Sequence, residues 1–97
     1  MKWLEEIHVR FSKPDYEHLK REFEELRQKL KEENNIELTL YNKAGLNSDI
    51  KLYLSHHSEK LETEGSPLGL HIKAELENYG IVNHSVWIKV KGEKHEK

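Results

Sequence analysis

The sequence predicts one α+β domain with the element order strand, helix, strand, strand, helix, strand. Three observations carry that prediction. Apolar and polar residues alternate with period two in four short runs. Apolar residues recur at spacings of three and four in two longer runs. Between these runs stand clusters of Gly, Pro, Asn, Asp and Ser, the residues that turn a chain.

In the first run Trp3, Glu5, Ile7, Val9 and Phe11 share one parity, and His8 and Arg10 share the other. Ile7, Val9 and Phe11 separated by polar residues is the pattern of a half-buried strand. Ser12-Lys13-Pro14-Asp15 ends it. Ser12 is a helix cap, and Pro14 fits a first helical turn, where its missing N–H has no partner to lose. Tyr16, Leu19, Phe23, Leu26 and Leu30 then form a narrow apolar stripe. Glu17/Arg21 and Glu25/Lys29 are spaced for pairing on the charged face, and Asn34-Asn35 is the expected stop.

Ile36, Leu38 and Leu40 alternate with Glu37, Thr39 and Tyr41 in a second strand. Ile50, Leu52 and Leu54 alternate with Lys51, Tyr53 and Ser55 in a third. The turn-rich stretch from Asn42 to Asp49 joins them as a hairpin. Ser58 to Gly65 is polar and reads as a loop. Ser66-Pro67 starts a second helix, with Leu68, Ile72, Leu76 and Tyr79 as its buried stripe. Gly80 is expected to stop it in the left-handed conformation, with Ile81 folded back on the last turn. Val86, Ile88 and Val90, alternating with Ser85, Trp87 and Lys89, give the fourth strand.

With right-handed crossovers and one shared sheet, this order gives a ferredoxin-like βαββαβ sandwich. Its four-stranded antiparallel sheet has the expected order 4-1-3-2, with two helices on one face. The domain is expected to span residues 1–91, and residues 92–97 form a polar, flexible tail. Of the 97 residues, 35% are apolar and 35% charged, a balance that raises the question of disorder. The periodicity answers it, because the scarce apolar residues fall on inward stripes.

Composition also narrows the function. Sixteen Lys and Arg against eighteen Asp and Glu leave a net charge of -2, which gives no bulk attraction to nucleic acid or an anionic membrane. The absence of cysteine excludes disulfides, thiolate metal sites and thiol nucleophiles. Glu5 and Glu6 interrupt any signal-peptide core after Met1-Lys2-Trp3-Leu4, and no run approaches the ~20 apolar residues of a membrane span. A cytoplasmic protein is the expectation.

Helices on one side leave the other sheet face open. Its expected residues are His8 and Arg10, then Glu37, Thr39 and Tyr41, then Lys51, Tyr53, Ser55 and His57, then Ser85, Trp87 and Lys89. Trp87, His8 or Arg10, Tyr53 and Tyr41 are expected to form a band across it. His84, beside Trp87 in sequence, is assigned to the same interface. Trp, Tyr and Arg are the residue types that dominate binding hot spots. The candidate binding residues are therefore His8, Arg10, Tyr41, Lys51, Tyr53, His84, Trp87 and Lys89. The expected role is non-catalytic: a homodimer or an adaptor for another protein.

An alternative is single-stranded nucleic-acid binding on the same face, with aromatics stacking on bases and Arg10, Lys51 and Lys89 meeting phosphates. The geometry is similar to that of an RNA-recognition motif, but Ile50-Lys51-Leu52-Tyr53-Leu54-Ser55 stands where that motif carries a basic-aromatic-glycine signature. A third reading is a small-ligand or metal-binding regulatory domain. The turn at Ser12-Lys13-Pro14-Asp15 lacks the glycine usual in such modules. His56 and His57 point to opposite faces of a strand and do not share an ion. No metal ligand, cofactor or catalytic residue is assigned. Gly65-Ser66-Pro67-Leu68-Gly69 reads as an ordinary cap, without the GK[ST] of a phosphate loop. His84-Ser85 with Asp49 lacks the bonded order of a triad.

Overall fold

Alternation in the strands fixes which side chains face the helices, and that choice builds the core. The computed structural model describes residues 2–11, 16–33, 36–45 and 48–90. Along the chain run β1 (Lys2–Phe11), α1 (Tyr16–Glu33), β2 (Glu37–Asn42), β3 (Asp49–His57), α2 (Pro67–Leu76) and β4 (Gly80–Ile88). The four strands form one antiparallel sheet in the order β2-β3-β1-β4, as the sequence predicts.

One parity of β1 and β3 is buried almost without a break. Ile7, Val9, Phe11, Ile50, Leu52 and Leu54 join Leu38 of β2 in a single core. Leu19, Phe23 and Leu30 of α1 and Ile72 and Leu76 of α2 close over them, so both helices lie on the same sheet face. Among the described residues no helix is long and apolar enough to cross a membrane.

At the start of α2, Ser66 Oγ accepts the Gly69 N–H at 2.9 Å and Pro67 opens the helix, the expected cap. Three expectations fall on residues outside those described: the cap at Ser12 with its turn to Asp15, the stop at Asn34-Asn35, and the tail from residue 92.

Two expectations at the other end of α2 are corrected. The helix closes through Glu77 N–H to Lys73 O (3.0 Å), Asn78 N–H to Glu75 O (3.2 Å) and Tyr79 N–H to Leu76 O (2.9 Å). Gly80 already belongs to β4, paired with Phe11. Among the described glycines, positive φ occurs at Gly45 (83°) and Gly65 (111°), and not at Gly80. Gly80 is required for a different reason: a Cβ there would overlap the carbonyl oxygen of Arg10. Ile81 is not folded back but lies 70% exposed.

The fourth strand therefore begins at Gly80 and not at Ser85, because residues 80–84 pair in register with Ile7 to Phe11. Its far end is also less covered than expected. Ile88, on the inward parity, is 56% exposed, and Val90, beyond the strand, is exposed too.

The close approach at Gly80 gives a discriminating prediction. Gly80→Ala is expected to lower stability by roughly 1–3 kcal/mol, the cost of forcing two packed backbones apart. Gly80→Asn is expected to be no better, since tolerance of a left-handed backbone brings no relief. Urea midpoints of the two variants check this; rescue by Asn would restore the left-handed helix stop.

Candidate functional site

The register resolves where the sequence-predicted face residues stand. On the open face Leu4 is paired with Ser55 and Trp87, Glu6 with Tyr53 and Ser85, and His8 with Lys51 and Asn83. Arg10 lies between Asp49 and Ile81, while Tyr41 faces Lys51 and Thr39 faces Tyr53. The expected aromatic band is therefore not formed. Trp87 sits on the edge strand β4 at one end of the face, 55% exposed, and its Nε1 donates to Ser85 Oγ at 2.8 Å. Tyr41 (57% exposed) and Tyr53 meet edge-to-face at 5.4 Å near the opposite edge. Charge fills the ground between, with Lys51 Nζ 3.4 Å from Glu6 Oε2. Lys89 lies exposed just beyond β4.

His84 is the one predicted interface residue on the wrong side. It shares the parity of Val82 and Val86, and its side chain is buried under α2, away from Trp87. Strand alternation is the cause: neighbours separated by three residues cannot both face outward on a continuous strand.

Two polar clusters organise the faces. On the open face Asp49, buried at the start of β3, accepts from His8 Nε2 at 3.0 Å and Arg10 Nε at 3.2 Å through Oδ1. Ser48 Oγ reaches Oδ2 at 3.3 Å. Burial pushes the Asp49 carboxyl up, but hydrogen bonds from Arg10 and His8 outweigh it and hold the group below its usual range. Asp49 therefore fixes two β1 side chains, His8 and Arg10, that sequence reasoning picked out.

On the covered face Glu5 is 0% exposed, at an inward position among aliphatic neighbours. Cross-strand diagonals bring His56 from β3 and His84 from β4 to it. Oε1 takes His56 Nε2 at 2.7 Å and Ser66 Oγ at 2.6 Å; Oε2 takes His84 Nε2 and the Ser66 amide, each at 2.9 Å. Since the carboxylate only accepts, both imidazoles donate from Nε2. His56 stacks on Trp3 at 4.0 Å, and Trp3 Nε1 donates to Ser58 Oγ.

Two glycines let α2 come this near. A Cβ at Gly69 would overlap the Glu5 carboxylate, and one at Gly65 would overlap the His84 ring. The positive end of the α2 dipole then faces the anion. Burial raises the Glu5 carboxyl, but the Ser66 hydroxyl and amide, then His84 and His56, overcome it and leave the group below its ordinary value.

This cluster is not arranged for acyl transfer. Ser66 Oγ donates to the carboxylate and not to a histidine, and its acceptor side is occupied by the Gly69 amide. Among the described residues no group of three or more His, Cys, Asp or Glu is placed to hold a metal ion. Sequence reasoning did not assign Glu5, His56 and Ser66 to a common site. The available signal was a glutamate and a histidine on the aliphatic parity of two strands.

No protein-family model matches this sequence, and a search of curated proteins returns no match. The fold is similar to that of Rv0793 from Mycobacterium tuberculosis. The two superpose with a TM-score of 0.62 over 94% of this chain and 98% of that one, at 18% identity. At that identity the likeness establishes a shared fold and nothing about activity.

The Glu5 cluster predicts how stability depends on pH. Removing the acceptor in Glu5→Ala strands four buried donors and is expected to cost about 3–5 kcal/mol. A depressed carboxyl contributes fully above its ordinary value of 4.5, and the contribution drains as pH falls through the lower folded value. Urea titrations of wild type and Glu5→Gln from pH 6 to pH 2 are expected to show a steeper acid loss in wild type. Parallel curves below pH 4.5 would remove Glu5 from that account.

Proposed function

We propose that the chain is a small non-catalytic module that pairs with a second copy of itself through the open sheet face. The observation that supports this best is one-sided cover. Both helices pack on one face, and the other keeps Trp87, beside Leu4, and Ile81, beside Arg10 at the far end of β4, more than half exposed, with Tyr41 at the opposite edge. Aromatic side chains exposed on a rigid sheet are the usual anchors of interfaces.

Charge and size favour a copy of the chain as the occupant. The face mixes Glu6, Glu37 and Asp49 with Lys2, Arg10 and Lys51, so no partner of one sign is selected, while a two-fold axis can set acid against base. Three strands of nine or ten residues and one of six make a face about 19 Å wide and about 30 Å long at its longest. With side-chain relief that approaches the ~800 Å² per partner of a standard interface. A nucleic acid is served less well: Tyr53 is the one aromatic on a central strand of the face, and Glu6 lies opposite it. A chain without cysteine also suits the reducing cytoplasm, where we place it.

Sedimentation equilibrium tests the pairing. Wild type is expected to be a dimer at concentrations on the order of 0.1 mM. Trp87→Glu and Ile81→Lys are expected to shift it to monomer with unchanged far-ultraviolet circular dichroism. A wild-type protein that stays monomeric there rejects the reading.

A further inference from the structure

The open face holds a hollow of about 360 Å³ at the end where β3 begins. His8, Arg10, Tyr41, Lys43, Asp49 and Lys51 line it, all from β1 and the β2–β3 hairpin. Three of these carry fixed positive charge, in a chain whose net charge is -2. The single carboxylate of the lining is buried, and its oxygens already accept from Arg10, His8 and Ser48. Asp49 therefore orders Arg10 while its own charge is already taken up within the chain. It grips Arg10 by Nε, on one edge of the guanidinium, while most of that side chain remains exposed. Lys43 is tethered over the start of β3 by its amide, which donates to Asp49 O at 3.3 Å. Lys51 lies 3.4 Å from Glu6, which offsets part of the charge and leaves Arg10 and Lys43 as the principal anion donors. The exposed ring of Tyr41 supplies an apolar wall.

We propose that this hollow binds a small molecule in which an oxyanion, a carboxylate or a phosphate monoester, is carried on a flat apolar body. Arg10 and Lys43 take the oxyanion, and the body lies along Tyr41. A guanidinium held on one edge is pre-oriented for such a group, so little ordering remains to oppose binding. The volume lies at the small end of ligand pockets and suits a single ring with one charged substituent. The lining comes from one chain, so the site needs no second copy; pairing through the open face would cover it, so the ligand binds the unpaired chain and competes with self-association.

The test is a chemical-shift titration of the whole isotope-labelled protein at low salt, with phenyl phosphate and with benzoate. Saturable shifts confined to Arg10, Tyr41, Lys43 and Lys51 and their sheet neighbours are expected from at least one probe, and none from uncharged benzyl alcohol. Arg10→Gln is expected to weaken binding about tenfold or more. Because that change also loosens Asp49, Lys43→Gln provides the second variant. Lys43 is exposed and its side chain supports no core contact, so its affinity is expected to fall several-fold with an unchanged melting temperature. The proposal is overturned if neither probe saturates, if benzyl alcohol binds equally well, or if Lys43→Gln binds like wild type. Sedimentation of the same samples keeps this outcome separate from that of the pairing proposal.

Discussion

A single buried carboxylate joins three strands to a helix. Glu5 lies on the strand with neighbours on both sides, and its four donors come from β3, from β4 and from the first turn of α2. An unpaired charge at that depth costs several kcal/mol, so the fold tolerates Glu5 only with all its partners in place. Each partner then constrains another element. His56 must sit on the inward parity of β3, β4 must extend far enough to deliver His84, and α2 must begin on a turn free of side-chain bulk that fits against the carboxylate. Gly65 and Gly69 meet that last condition, since a methyl group at either would collide with the cluster.

The open face uses a similar device for a different end. Asp49 is paired directly with Arg10 and diagonally with His8, as Glu5 is placed diagonally to His56 and His84. The difference lies in what remains after pairing. Around Glu5 both oxygens each accept two donors, the histidines are almost wholly buried, and the serine is used on both sides. Around Asp49 the carboxylate is satisfied, but the guanidinium it holds is largely exposed, and two lysines stand beside it.

How much of this was legible in the sequence depended on which physical signal each residue carried. Alternation in Ile7–Phe11 and Ile50–Leu54 and the stripe through Leu19, Phe23 and Leu30 gave element order, strand order and core, because burial acts on those residues alone. The start of β4 was hidden for the same reason. Ile81 is apolar yet outward, and Asn83 and His84 are polar on both parities, so the first half of the strand carries no alternation. With that half read as a connection, His84 lost its parity, and the third side chain of the Glu5 cluster was placed on the opposite face. The lateral band failed for another cause: parity selects a face, whereas register depends on hydrogen bonding between strands distant in sequence, which no local pattern encodes.

The two clusters also indicate where to look for function in a sheet of this kind. A polar group whose bonds are all made within the chain has its interaction energy committed to the fold, and a ligand gains little by competing for it. The Glu5 cluster is in that condition, and its four donors cannot be redirected without exposing a buried charge. Binding energy is available where a group is oriented but incompletely satisfied, because the ordering cost has already been met in folding. Arg10, held by one edge over Asp49, and Trp87, held by one bond to Ser85 with most of its ring in solvent, are in that second condition. The Glu5 cluster on the covered face is therefore committed to the fold, and the oriented but incompletely satisfied groups stand on the open face, which is why both binding proposals are placed there.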